Sequence, residues 1–279
     1  MDKDKDSLPE IHIAPVTPWG FPDLKEVHQY RDLLAFLVWR TIKVSYAQSV
    51  GGYAWAIVQP TIQILVFSVI FGGLIGLDGG EGVPYPLFAT VAVIPWNYMQ
   101  GTITATSNAL VSNAAMLMKV YFPRLHLLLT PTLSNLVPFL ISSVLIIIVL
   151  AVYQVSMTLN LLMLPVFIAL MMLTPLSLGL LLSTLAVRYR DFSIAMGSFL
   201  RMLIYIVPVM YPSSKIPDHL REYYILNPFV GVIEGFKACL LGSPFQWDSF
   251  IASALVTCVL LLGGAIYFRR MERIIVDVL

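Results

Sequence analysis

Charge is the first scarcity. Of 279 residues only 12% are Asp, Glu, Lys or Arg, while 58% are hydrophobic and the mean hydropathy is +0.82. A water-soluble domain carries about 25% charge. Half of that leaves too little polar surface to cover a globule of this size. An ordinary soluble enzyme, a nucleic-acid binder and a disordered chain are thereby excluded. Cysteine is scarce too: Cys239 and Cys258 have no metal-ligand spacing, and Cys258 sits in an apolar run, so no disulfide is expected between them. The four histidines, His12, His28, His126 and His219, are scattered and predict no metal site. No GxxxxGK[ST] phosphate loop is present. The cluster Gly72, Gly73, Gly76, Gly79 and Gly80 lacks the Lys-Ser/Thr end, and its Gly72/Gly76 spacing fits close helix packing instead. Ionisable groups are nearly missing from the apolar runs, where each costs about 2.5–3.5 kcal/mol to insert. That argues against intramembrane catalysis and against carriage coupled to protons or sodium, so the energy for any transport must come from elsewhere.

What is present is long uncharged sequence. A membrane-crossing helix needs about 20 mostly apolar residues. Val44–Leu77, Gly82–Met118 and Leu125–Val187 contain no Lys, Arg, Asp or Glu, nor does the stretch between Asp248 and Arg269; Phe192–Ser214 is interrupted only by Arg201. The reading is an all-α integral membrane protein with six spans at about 53–77, 86–108, 128–153, 161–186, 194–211 and 249–268. With the N-terminus inside, only Lys215, Arg221 and Lys237 of the 17 Lys and Arg fall outside, which sets both termini in the cytoplasm. Residues 1–28 are polar, carry Pro9, Pro15, Pro18 and Pro22 and lack a signal-peptide core; they read as a flexible cytoplasmic tail before one membrane domain, 29–279.

Between the spans lie four features. Residues 28–49 place Leu33, Leu34, Leu37 and Val38 on one helical face with Arg40 and Lys43 off it, predicting an amphipathic helix in the cytoplasmic interface before a Gly51-Gly52 hinge. It is either a plain anchor or a guide for anionic lipid head groups. The loop 112–124 exposes Met116, Leu117, Val120, Tyr121 and Phe122 on the cytoplasmic side, with Asn113 placed to cap a short helix and Pro123 to end it; apolar residues there need a partner or the membrane. Arg188 and Arg190 flank the next cytoplasmic turn beside Asp191. Segment 212–248 is punctuated by Pro212, Pro217, Pro228 and Pro244, yet Val230–Leu241 is apolar with helical spacing, so it predicts a re-entrant hairpin in the outer leaflet.

The spans themselves offer aromatic and neutral polar side chains: Tyr53, Trp55, Gln59, Gln63, Phe67, Phe71, Phe88, Trp96, Asn97, Tyr98, Gln100, Asn135, Phe199, Tyr205 and Tyr211. They serve either as interfacial belts and interhelix packing or as a path for a polyhydroxylated chain, whose sugar rings stack on aromatic faces and whose hydroxyls bond amides.

Nine short motifs in one order carry a family resemblance: Tyr30-Arg-Asp-Leu-Leu, Gly51-Gly-Tyr-Ala-Trp-Ala-Ile-Val-Gln-Pro60, Ile94-Pro-Trp96, Lys119-Val-Tyr-Phe-Pro-Arg124, Val187-Arg-Tyr-Arg-Asp191, Pro208-Val-Met-Tyr-Pro212, Leu226-Asn-Pro228, Ile233-Glu-Gly-Phe236 and Phe268-Arg-Arg-Met-Glu-Arg273. From about Tyr30 to its end the chain resembles the membrane permease subunit of type-2 ABC polysaccharide exporters, the family that exports O-antigen, capsule and teichoic acid. The resemblance implies a homodimer in the cytoplasmic (inner) membrane with two separate ATPase subunits. Those subunits would hold the ATP and magnesium, and this chain no cofactor. It implies a coupling site for the ATPase at Asn113, Met116, Lys119, Tyr121, Phe122, Pro123 and Arg124 with Arg188, Arg190 and Asp191. Arg40, Lys43, Tyr46, Gly51 and Gly52 would border the gateway for a lipid-diphosphate head. Pro212, Asn227, Pro228, Glu234 and Phe236 would form an outer gate. The channel would be lined by Tyr53, Trp55, Gln59, Gln63, Phe67, Phe71, Phe88, Trp96, Tyr98, Phe199, Tyr205 and Tyr211. The implied cargo is undecaprenyl-diphosphate-linked polysaccharide, O-antigen before teichoic acid or capsule. A small-drug exporter, a membrane acyl- or glycosyltransferase using Asp218, Glu222 or Glu234, and a non-transporting scaffold are the rival readings.

Overall fold

The computed structural model describes residues 24–47, 49–80, 82–119 and 122–272, apart from the side chains of 24–26, 190, 193 and 194. The expectations for residues 1–23, for Val120 and Tyr121 and for the Arg190 side chain lie outside these. Every regular element described is helical. A short α1 (Leu24–Gln29) leads into α2 (Arg31–Tyr46) and then, through a turn at Gly52, into α3 (Trp55–Phe67), which continues as a π-helical stretch over Ser68–Leu74. Next come α4 (Tyr85–Ser112), the single turn α5 (Ala114–Leu117), α6 (Leu125–Ser134) and α7 (Leu136–Val152). The chain closes with α8 (Leu164–Arg188), α9 (Arg190–Leu203), α10 (Asp218–Ile225), α11 (Pro228–Leu241) and α12 (Trp247–Met271).

Among the described residues four helical stretches are long and apolar enough to cross a membrane: Gly52–Leu74, Leu125–Val152, Leu159–Arg188 and Trp247–Met271. They coincide with the spans expected at 53–77, 128–153, 161–186 and 249–268. The span expected at 86–108 lies inside α4. With 28 residues, α4 is about 42 Å long at 1.5 Å per residue, but Asn97, Gln100, Thr102, Thr104, Thr106 and Asn108 make it too polar to rank with the four. It is tolerated because it is enclosed: α3, α6, α7, α8, α9 and α11 all pack on it, and most of its residues are buried. The fifth expected span, 194–211, is corrected in form: it is not one continuous helix. Helix α9 stops at Leu203 after 14 residues, about 21 Å and short of the ~30 Å hydrocarbon core; residues 204–212 are irregular. Pro208 and Pro212 explain the stop, since neither has an N–H and each ring clashes with a continuing helix. Beyond the break, α10 and α11 meet at a 97° bend.

Two apolar cores hold these helices. The larger surrounds the first half of α4, where Phe88, Val91, Ile94, Trp96 and Met99 meet Met171 of α8, Val207 and Val209 of the irregular segment, and Phe229, Ile233 and Phe236 of α11. The smaller joins Leu37 of α2, Leu110 of α4, Leu117, Phe122, Leu128 of α6, Leu180 of α8 and Phe268 of α12. The apolar face expected on α2 therefore packs on protein through Leu37, with Leu33 beside it, while Phe36, Trp39 and Val44 point outward. Of the Gly72/Gly76 pair only Gly72 allows close packing, against the start of α4. Gly72 lies in the π-helical turn, where a Cβ would press on Tyr85 at 3.1 Å, and Gly76 sits beyond the helix at φ +72.

Pro60 shows how a proline inside a span is accommodated. It lacks the N–H that would bond the Ala56 carbonyl four residues earlier. Ser142 of α7 supplies the missing donor: its Oγ lies 2.6 Å from the Ala56 oxygen and 2.7 Å from that of Pro138.

Candidate functional site

One side of the second half of α4 borders a cavity of about 1000 Å³, walled also by α2, α3, α6, α7 and α9. Along α4 it extends from Ile94 to Asn113, about 28 Å of helix. Carboxamides dominate its polar lining: Gln59 and Gln63 from α3, Asn97, Gln100 and Asn108 from α4, Asn113 at its end, and Asn135 between α6 and α7. Thr104, Thr130 and Ser142 add hydroxyls, and Arg40 of α2 and Arg201 of α9 add two cations. No carboxylate lines it among the described residues.

The amides are held in place by part of their own bonding capacity. Asn97 Nδ2 donates to Gln63 Oε1 at 3.0 Å, Asn135 Nδ2 to Thr102 Oγ1 at 3.2 Å, and Gln100 Nε2 to the Leu200 carbonyl at 3.3 Å. Asn113 Nδ2 reaches back to the Ala109 carbonyl at 2.8 Å. A carboxamide has two donor hydrogens and two acceptor lone pairs, so each retains capacity toward the cavity. Such a wall bonds hydroxyls of any stereochemistry at low cost in desolvation. The guanidinium groups suit an anionic group, phosphate above all, by paired charge-assisted bonds. The lining provides no nucleophile with an adjacent base. Among the described residues no three His, Cys, Asp or Glu side chains gather as a metal site.

Of the expected channel residues, Gln59, Gln63 and Tyr98 line this cavity; Tyr98 is anchored by its hydroxyl donating to the Thr132 carbonyl at 2.8 Å. Phe88 and Trp96 do not line it. Both are core residues, 1% and 0% exposed, Trp96 edge-on to Phe229, because the first half of α4 has helices on every side. Phe67 and Phe71 are half-buried, and Phe71 stacks on Tyr85 at 6.2 Å. Tyr53, Trp55, Phe199 and Tyr205 face outward. Tyr211 turns back, its hydroxyl 3.1 Å from the carbonyls of both Tyr205 and Ile206.

At the expected lipid-head gateway only Arg40 reaches the cavity. Lys43 lies over the Trp39 ring at 4.8 Å, and Tyr46 packs on Tyr53 with ring centres 4.0 Å apart. Burial, and then the neighbouring Tyr53, push the Tyr46 phenol above its ordinary range, so it remains a neutral hydroxyl. Gly51 and Gly52 form the turn into α3. Gly52 has φ +47, the left-handed region, and a Cβ on Gly51 would strike the Trp55 indole.

The loop 112–124 is partly turned inward. Asn113 does not cap α5, since its side chain is spent on α4. Phe122, expected to face a partner, is buried in the smaller core with Pro123 also buried. Met116 is half-buried, whereas Met118 and Lys119 are exposed. His126, fully buried, fixes the loop's end: its Nδ1 is 3.0 Å from the Pro123 carbonyl. A carbonyl only accepts, so Nδ1 carries the proton. Arg124 is half-buried, and Asp191 and Arg188 are exposed, the latter 5.4 Å from the Tyr189 ring.

Of the expected outer-gate residues, Asn227 caps α11, accepting from the Phe229 N–H at 3.1 Å with Pro228 in the first turn. Pro212 is buried against Gly80. Phe236 is a core residue, edge-on to Phe139. Glu234 accepts from Lys237 Nζ at 2.9 Å. Lys237 had no role in the sequence reading beyond a topology count, although Glu234 three residues before it in an apolar helix was the available signal. Thr104, Asn108 and Arg201 were missed at the cavity, since single polar residues at helical spacing look like packing.

The family model for the ABC-2 type transporter matches residues 32–241. The O-antigen export system permease protein RfbA of Myxococcus xanthus is 28% identical over 255 residues, covering 89% of this chain and 96% of that protein. A protein of the same name from Klebsiella pneumoniae is 23% identical, covering 86% and 92%. The polysialic acid transport protein KpsM of Escherichia coli is also 23% identical, covering 84% and 91%.

Proposed function

The chain belongs to the ABC-2 type transporter family, and from that premise we propose that it is the permease of an ATP-driven exporter that moves lipid-diphosphate-linked polysaccharide, O-antigen in the first place, across the cytoplasmic membrane. The names of its relatives, two O-antigen export permeases and a polysialic acid transporter, support the polysaccharide class. The observation that carries the reading is the cavity. It is long, its polar groups are neutral amides and hydroxyls with two arginines and no carboxylate among the described residues, and these are set among apolar side chains such as Ile94, Leu127 and Phe139. That combination suits a hydroxyl-rich chain led by a diphosphate better than it suits a cationic or flat apolar drug.

In this reading α4 and the α9 region complete six crossings with both termini inside. Helix α2 lies in the cytoplasmic interface and α10–α11 form a re-entrant outer hairpin. Two copies pair so that their cavities share one passage. Two ATPase subunits dock at the loop carrying Met118 and Lys119 and hold the ATP and magnesium. The test is gene deletion in the native host, followed by location of the lipid-linked polymer. Loss of polymer from the surface with accumulation inside on its carrier is the expected result, reversed by the wild-type gene. Complementation by Gln63→Leu with Asn97→Leu, at normal membrane levels, should leave surface polymer reduced. Unchanged surface polymer in the deletion strain overturns the reading.

A further inference from the structure

The irregular segment 204–212 leaves carbonyl groups without helical donors at a depth where unpaired backbone is costly. Three side chains from three elements meet them. Tyr211, from within the segment, lies 3.1 Å from the carbonyls of Tyr205 and Ile206 and can donate its one hydroxyl hydrogen to either. Tyr85, at the start of α4, donates its hydroxyl to the Met210 carbonyl at 2.7 Å. Lys237 of α11 donates Nζ to the Pro208 carbonyl at 2.6 Å. Pro212 is the reason that the Pro208 carbonyl is free, because the residue four positions on has no N–H. Lys237 is itself enclosed: it pairs with Glu234 and lies 4.1 Å from the centre of the Phe88 ring. Glu234 is in turn 3.4 Å from Gln246 Nε2, which donates to Ser213 Oγ just beyond the segment. The same segment follows directly on α9, whose Gly197 and Arg201 line the cavity and whose Leu200 carbonyl accepts from the cavity residue Gln100.

We infer that residues 204–212 are a latched hinge, and that Lys237, with Tyr85 as second point, is the positioning residue that holds it closed against α4 and α11. A hinge needs backbone whose bonds are made by side chains able to let go, and here the donors sit on neighbouring helices. Release of the two donors frees the end of α9 to move without unwinding any helix. The inference rests on the export reading only for its purpose; the hinge itself is a property of the chain.

The test uses the full chain in membrane vesicles, with Cys239 and Cys258 replaced by alanine. A single reporter, Val209→Cys, sits between the latched carbonyls and is buried in the wild type. A maleimide is applied from either face. The expected result is labelling about tenfold faster with Lys237→Met plus Glu234→Gln, the scale of one charge-assisted hydrogen bond in an opening equilibrium, and about fivefold faster with Tyr85→Phe. A second reporter, Val232→Cys, buried in the same core, should keep its rate. Equal acceleration at both reporters indicates general loosening and overturns the latch, as does an unchanged rate at Val209→Cys. If the double variant fails to accumulate, Tyr85→Phe decides by the same two criteria. The face from which the reporter labels tests the orientation separately, so failure of the export reading and failure of the latch are distinguishable.

Discussion

Prolines are accommodated in different ways at Pro60 and at the pair Pro208 and Pro212. At Pro60 one carbonyl is vacated, a single serine hydroxyl from α7 lies within bonding distance of it, and α3 continues. At Pro208 and Pro212, four residues apart, the helix ends, and a lysine and two tyrosines take over its carbonyls. The difference is one of number. One missing donor is a local repair, whereas two in successive turns end the ladder and move its bonding onto neighbouring helices. It is also one of surroundings: Ala56 and Ser142 border the cavity, while Lys237 lies in the packed core.

The contrast is broken most strongly at Lys237. Lys237→Met leaves Glu234 without its cation in a buried site, and a loss of about 3–5 kcal/mol is expected, read as a fall in the unfolding midpoint in detergent; adding Glu234→Gln should restore most of it. Tyr85→Phe removes one neutral hydrogen bond and nothing else, so about 1 kcal/mol is expected in the same measurement. Ser142→Ala should cost less, about 0.5 kcal/mol, because water in the cavity replaces the hydroxyl at the Ala56 carbonyl. The smallest effect sharpens the comparison: in a Pro60→Ala background the restored N–H bonds Ala56, and Ser142→Ala should then be close to neutral. A double-mutant cycle that finds no coupling between positions 60 and 142 would refute the repair.

The sequence made the spans legible wherever uncharged sequence and helix coincide. Gly52–Leu74, Leu125–Val152, Leu159–Arg188 and Trp247–Met271 follow from the absence of charge alone. Helix α4 was found by the same count although its amides make it too polar for lipid; what the count lacked was the ring of neighbours that enclose it. The run 194–211 misled because apolar content hides geometry. Pro212 was read as the end of the span, but Pro208 was read only as part of a motif and not as a stop. Gln59, Gln63, Asn97, Gln100 and Asn135 were recognisable as uncommon polar groups in apolar surroundings, and the cavity unites them. The burial of Trp96, Phe88 and Phe236 was not legible, because an aromatic at helical spacing carries no mark of whether its face meets space or another side chain. The burial of Phe122 was hidden for the converse reason: a loop residue exposed by sequence distance is enclosed in a core to which α2 and α12 return.

The enclosure of α4 has a consequence for the birth of the protein. Its principal neighbour is α8, which begins at Leu164, more than fifty residues after Ser112. At synthesis rates of about 5–20 residues per second, α4 must therefore wait several seconds, with Asn97, Gln100 and Asn108 exposed to lipid or to the insertion machinery. The helix at the centre of the finished molecule is thus less able to reside in a bilayer alone than the four apolar stretches around it. Biogenesis has to hold it at the translocon, or beside a chaperoning insertase, until the later helices arrive to shelter it.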